Sequence, residues 1–280
     1  MSLLCRPRSV IVLQLSSFLV ARSSDGWRIT VPDDLAFFDG HFPRRPIVPG
    51  AALLQLTLQQ VAEIRNATAV VLDRVRFQRL VEPGARFDLR LETTADSATF
   101  CLADPQGVLA QGALRCGGGE PAHGRDSCSV GGDIDVAPPV PLSALLPHGP
   151  EAMLLRDVPC RAGERLQVGA RLPADSPYAR GTWASAALVE AAAQAAAAHM
   201  GLAAAPQAGI ALGPRPGYLV GVKRARLVAD LPRDPDFTVC VQRTGGSGPL
   251  AIYAASVTAA DAELFHAELS VWTLPPEPPT

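Results

Sequence analysis

The chain is built twice over. Residues 72–77, Leu-Asp-Arg-Val-Arg-Phe, and residues 222–227, Val-Lys-Arg-Ala-Arg-Leu, share one alternation of apolar and charged positions. Upstream of each lies an apolar helical pattern. Leu54-Gln55-Leu56-Thr57-Leu58-Gln59 lays onto Val189-Glu190-Ala191-Ala192-Ala193-Gln194, and in both the polar pair is spaced i, i+4 and shares a helix face. Two matches in the same order mark an internal repeat. Between the copies, from Gly117 to Pro139, the chain turns to Gly-Gly-Gly-Glu-Pro, Gly-Arg-Asp-Ser, Gly-Gly-Asp and Pro-Pro, with no periodicity. Such a stretch reads as a linker. The expected division is residues 1–116, a linker over 117–139, and residues 140–280.

Strand patterns follow each helix. In the first copy they cover 70–80, 86–93, 98–103 and 108–116, and in the second 218–227, 237–243, 251–258 and 264–274. Pro83-Gly84 and Gly245-Gly246 read as turns. One long helix against a run of antiparallel strands is an α+β plan.

Composition narrows the function. Hydrophobic residues make up 48% and charged residues 19% of 280, which excludes disorder as the main state. A net charge of −2 with mixed signs offers no basic stripe for nucleic acid. Six scattered cysteines without a Cys-x-x-Cys read as reduced thiols of a cytoplasmic protein, and no cofactor or metal is expected. Arg6 and Arg8 precede an apolar stretch over 9–21 that imitates a signal, but Val10-Ile11-Val12 is β-branched and favours a strand. No stretch reaches the ~20 apolar residues of a membrane-spanning helix.

The block Phe-Phe-Asp-Gly-His-Phe-Pro-Arg-Arg-Pro-Ile-Val-Pro-Gly, residues 37–50, carries the chemistry. His41 titrates near neutrality and suits proton abstraction. Gly50 opens a helix, where a free N–H and the helix dipole can hold a developing oxyanion. Pro43, Pro46 and Pro49 stiffen the loop between them.

This block resembles the active-site segment of the FabA/FabZ family of 3-hydroxyacyl-[acyl-carrier-protein] dehydratases. The resemblance implies a hotdog fold in each half, a long helix wrapped by a curved antiparallel sheet, and two hotdogs packed as an internal pseudo-dimer. It also implies a cofactor-free elimination of water from a thioester on acyl carrier protein. The family's acid lies fourteen residues after the histidine, where this chain has Gln55, and an amide cannot serve as that acid.

The acid is found in the other half. Leu188-Val189-Glu190-Ala191-Ala192-Ala193-Gln194 resembles the family's acidic helix, with Glu190 at the acid position. Leu146-Pro147-His148, residues 153–158 and residues 218–226 resemble its flanking segments. Ser176 to Thr182 aligns with the approach to the histidine, but the second half has no histidine loop. One composite site is therefore expected, with His41 as base, Glu190 as acid and Gly50 binding the thioester oxygen. The split resembles the paired dehydratases of aryl polyene biosynthesis, here fused.

Phe38, Phe42, Pro49, Gln55 and Gln194 are expected to bind substrate, and Arg44 and Arg45 to meet the carrier protein. A ketosynthase or ketoreductase of the same pathway is a further expected partner. Glu190 amid Ala, Leu and Val should have a raised pKa. His148 reads as a structural turn residue. His199, nine residues past Glu190, lies on the opposite helix face. The rival functions are a hotdog thioesterase using Glu190 alone and a non-catalytic scaffold that binds acyl chains.

Overall fold

A computed structural model describes residues 13–15, 18–42, 45–117, 140–157, 159–208, 217–231, 236–260 and 262–273. The strands of the first half are β1 (Leu13–Leu15), β2 (Phe18–Ser23), β3 (Gly26–Thr30), β4 (Ala69–Phe77), β5 (Arg86–Thr93), β6 (Ser97–Asp104) and β7 (Gly107–Cys116). Those of the second are β8 (Cys160–Ala162), β9 (Arg165–Arg171), β10 (Gly217–Val228), β11 (Asp236–Ser247), β12 (Leu250–Ala259) and β13 (Ala262–Thr273). The helices are α1 (Gly50–Arg65), the short α2 (Leu142–Leu145) and α3 (Ala186–Ala208).

All thirteen strands form one antiparallel sheet in the order β1-β2-β3-β5-β6-β7-β4-β10-β13-β12-β11-β9-β8. Read outward from the middle, the order is mirrored, with β4 answering β10, β7 answering β13 and β6 answering β12. The middle is the β4–β10 pair, in which Leu72 faces Ala225 and Val75 faces Val222. The two segments whose likeness marks the repeat are thus hydrogen-bonded to each other. This is a double hotdog, as the sequence implied.

The helices lie back to back at the centre, α1 against α3 and α3 against β9 to β13. Every residue of α1 from Ala51 to Val61 is buried, so the helix is covered on all sides rather than amphipathic. Burying one Leu side chain fully is worth about 1.5–3 kcal/mol, and Leu54, Leu56 and Leu58 all lie in this core. Asn66, in the left-handed region at φ 51°, stops α1, its N–H closing on Ala62 O.

Two expectations need correction. Gly245-Gly246 is not a turn: β11 runs on to Ser247, and a bulge between Arg243 and Gly245 absorbs the extra residue. The reading of all cysteines as thiols holds for Cys101, Cys116 and Cys160, but Cys240, buried on β11, is disulfide-bonded. Spacing along the chain could not reveal that, because a sheet brings distant positions together. Val10-Ile11-Val12, Cys5, Cys128, His123 and nearly all of the linker lie outside the described residues. Among the described residues no helix is long and apolar enough to cross a membrane.

Candidate active site

A 3-10 turn, Ala36–Phe38, leads through Gly40 (φ 76°) into His41 and Phe42 (φ 56°). The loop then delivers the chain through Pro49 to α1, whose first residue is Gly50. Gly50 has no room for a side chain: an added Cβ would lie 3.1 Å from the Phe77 ring. Among the described residues its N–H has no backbone acceptor, as expected in a first helical turn.

His41 is buried and donates its Nδ1–H to the Ile47 carbonyl at 3.0 Å. A carbonyl only accepts, so Nε2 carries the lone pair. That atom points across the seam between the halves, 4.0 Å from Glu190 Oε1 on α3. Gln194, one turn on, donates to the same Oε1 at 3.1 Å and to Ala152 O at 2.8 Å, while its own oxygen accepts from Leu154 N–H. The Gln194 amide therefore holds Glu190 in place.

A third group completes the cluster. His148 Nε2 lies 3.4 Å from Glu190 Oε1, its side chain only 6% exposed. Its ring is 5.3 Å from that of His41 and 5.2 Å from that of Phe42. The loop carrying it is pinned to the histidine loop of the other half, since Gly149 N–H donates to Gly40 O at 2.7 Å. A Cβ on Gly149 would meet Gly40 Cα at 2.9 Å, so the approach depends on glycine at both positions. The Tyr178 hydroxyl, also buried, faces Glu190 without full hydrogen-bond geometry.

The electrostatics differ from expectation. Burial resists ionisation of Glu190, yet His148, His41 and Gln194 together outweigh it and hold the carboxyl down at about 2. Burial pushes His41 down to about 4, opposed by Glu190 and aided by His148. The apolar neighbours of Glu190 along the helix implied a raised value. Gln194 lies one turn on, but His41 and His148 come from distant segments. Near neutral pH the site holds a neutral His41 beside an ionised Glu190.

Two clefts meet at this pair. The larger, about 630 Å³ counting its open mouth, is lined by His41, Phe42, Pro49, Gly50, His148, Glu190 and Gln194, and also by Arg79 and Tyr218. The smaller shares His41, Pro49 and Glu190, and is walled by Phe37, Leu154 and Tyr178. His41, His148 and Glu190 offer donor atoms within 4.8 Å of one another. Ligands about 2.1 Å from a shared ion stand closer than that, so the side chains would have to draw in around a metal.

The other expected residues are placed as follows. Phe38 is half-buried against the core and lines neither cleft. Gln55 is also off both: its amide donates to Tyr178 O (2.9 Å) and Thr182 O (3.2 Å) on the opposite side of the helix pair. There Gly181 (φ 87°), Thr182 and Trp183 (φ 64°) follow the turn Pro177–Ala179 with the spacing of Gly40, His41 and Phe42. Thr182 stands in the histidine's place, and Trp183 is fully buried beside it. Arg45 pairs with Glu82 at 2.9 Å, and Arg44 lies outside the described residues. His199 is held by Tyr253 and the Gly163 carbonyl, away from the site.

Each half resembles known dehydratases. A family model described as ApeI dehydratase matches residues 21–113, and one described as ApeP dehydratase matches residues 140–278. The chain belongs, half by half, to the ApeI-like and ApeP-like dehydratase families. Among curated proteins, the 3-hydroxyacyl-[acyl-carrier-protein] dehydratase FabZ of Burkholderia mallei is 36% identical over 67 residues, 20% of this chain and 43% of the relative. That of Burkholderia thailandensis is 36% identical over 67 residues, with 42% of its length covered. The chain thus spans about two-fifths of the curated relatives it matches. Among solved structures, the dehydratase domain of RzxB from Pseudomonas fluorescens superposes with a TM-score of 0.67 at 16% identity, covering 92% of this chain and 98% of that one. The dehydratase domain of PpsC from Mycobacterium tuberculosis gives 0.67 at 14% identity, covering 95% and 97%. Both likenesses concern the fold.

Proposed function

We propose that this ApeI-like/ApeP-like tandem protein dehydrates a 3-hydroxyacyl thioester carried on acyl carrier protein to the trans-2-enoyl thioester, in aryl polyene or related chain elongation. The observation that carries the reading is the 4.0 Å approach of His41 Nε2 to Glu190 Oε1 from opposite halves, in a cleft that Gly50 also lines. The neutral His41 removes the C2 proton, the Gly50 N–H and the positive end of α1 hold charge on the thioester oxygen, and the Glu190 side faces the departing C3 hydroxyl. The linker and one long helix in each half support domain boundaries at 116 and 140. Arg79, which lines the larger cleft and pairs with Asp104 at 2.6 Å, extends the docking surface sought in Arg44 and Arg45.

The ionised Glu190 is the one observation that favours a thioesterase, since a carboxylate can activate water. The same experiment separates the two readings. Wild type, His41→Ala and Glu190→Gln are incubated with a 3-hydroxyacyl carrier thioester and followed by mass. Dehydration requires loss of one water by wild type and by neither variant. Release of free acid, or full activity in His41→Ala, would favour the thioesterase.

A further inference from the structure

We infer that His148, which the sequence marks only as a turn residue, holds the proton that the reaction delivers to the leaving hydroxyl, sharing it with Glu190. The inference rests on the dehydratase reading and supplies what that reading lacks.

An elimination needs a base and an acid together. His41 supplies the base, because its Nδ1–H is committed to Ile47 and its Nε2 is free. Glu190 alone is not a ready acid, since its neighbours keep it ionised. The geometry offers a second place for the proton. His148 Nε2 is 3.4 Å from Glu190 Oε1, nearer than His41 at 4.0 Å, and both rings reach the same carboxylate oxygen. The position of His148 is built, not incidental, because the Gly149–Gly40 contact locks its loop to the histidine loop across the seam. His148 Nδ1 is buried with no partner among the described residues, so the ring's polar commitment is to Glu190.

Asp39 and Glu151 line the smaller cleft together with His41 and Glu190, and Glu151 lies beside the Gly40–Gly149 contact. Glu190 comes from α3 and His41 from the loop before α1. Tyr178 comes from the turn before α3, where burial and the Glu190 charge keep its hydroxyl protonated. Tyr218 of β10 meets Phe42, which in turn meets His148, and Arg79 lines the larger cleft. Of the two imidazoles that reach Glu190 Oε1, His148 is the nearer, at 3.4 Å against 4.0 Å for His41.

The proton balance closes. The C2–H bond breaks to His41 Nε2 and its electron pair forms the C2=C3 bond through an enolate held at Gly50. The C3–O bond breaks, and the hydroxyl leaves as water with the proton shared by Glu190 and His148. The proton now on His41 crosses to Glu190, and the pair is restored. No oxidant, reductant or cofactor enters.

The test measures kcat, KM and their pH profiles from pH 5 to 9 for wild type, His148→Ala and His148→Gln. Wild-type dehydration is established first, so that failure of the underlying reading shows as an inactive wild type. The proposal expects both variants to lose roughly 100-fold in kcat with KM within about twofold, and to change the pH profile of kcat. Added imidazole should restore part of kcat in His148→Ala and none in Glu190→Gln. His148→Gln keeps a hydrogen-bond donor to Glu190 but cannot exchange a proton, so it separates placement from proton transfer. Wild-type kcat in His148→Gln, or a loss with an unchanged pH profile and no imidazole rescue, would overturn the proposal.

Discussion

At the scale of single residues, one carboxylate sets the behaviour of the site. Glu190 is buried against two histidines and a glutamine amide, and each stabilises its charge. A neutral partner at either histidine should therefore let its pKa rise. The pair also couples stability to pH. The unfolded chain protonates His41 near the ordinary histidine value of 6.5, whereas the folded chain resists until about 4. Glu190 follows at lower pH, from 4.5 unfolded to about 2 folded. In both windows the unfolded state binds more protons, so stability falls as pH falls. Thermal melts should show Tm dropping between pH 6.5 and 4.5, and His41→Gln should flatten that drop. An equal slope in wild type and variant would mean that His41 is not buried in its neutral form.

The sequence carried His41, Gly50 and Glu190 because a turn, a helix start and an isolated acid in an apolar helix are local patterns. It did not carry His148. Pro147 and Gly149 on either side read as a turn, and the contact that gives the histidine its place is between Gly149 and Gly40, more than a hundred residues apart. The direction of the Glu190 shift was lost for the same reason, since its histidine partners reach it through the fold.

At the scale of elements, the start of α1 is the tightest constraint. The helix delivers its first N–H to the cleft only if Gly50 approaches the Phe77 ring of β4. Gly50→Ala places a methyl 3.1 Å from that ring and must shift either the helix end or the aromatic. Overpacking of this kind costs about 1–3 kcal/mol. A displaced oxyanion donor costs roughly 100-fold in kcat. The variant should lose both activity and thermal stability, and Phe77→Leu in the same chain should recover much of the stability. If Gly50→Ala keeps wild-type kcat, the helix terminus does not bind the thioester oxygen. The second half lacks this device. Its chain runs from Thr182 through the buried Trp183 into α3 without a proline loop, and Gln55 and Gln59 both spend their amide donors on Thr182 O. Gln55→Glu alone should create no second activity, because among the described residues no histidine faces the new acid, and it should destabilise the fold by burying a charge without a cationic partner.

At the scale of the whole molecule, the seam decides how many sites there are. Pairing β4 with β10 puts α1 and α3 back to back, which brings the histidine loop of the first half over the acidic helix of the second. The reciprocal face carries Thr182 and Gln55. On the proposed reading one chain holds one site, and its His41 and Glu190 belong to the same polypeptide. Hotdogs that pair as separate subunits could exchange partners, so an inactive histidine variant and an inactive acid variant would rescue each other when mixed. Here the seam is an antiparallel strand pair within one covalent chain, and its partner is always present at high effective concentration. Mixing His41→Ala with Glu190→Gln should restore no dehydration after hours of incubation, each variant remaining as inactive as it is alone. Recovery of activity to a quarter or more of the wild-type rate would mean that the halves exchange between chains, and the site would then belong to an assembly of chains.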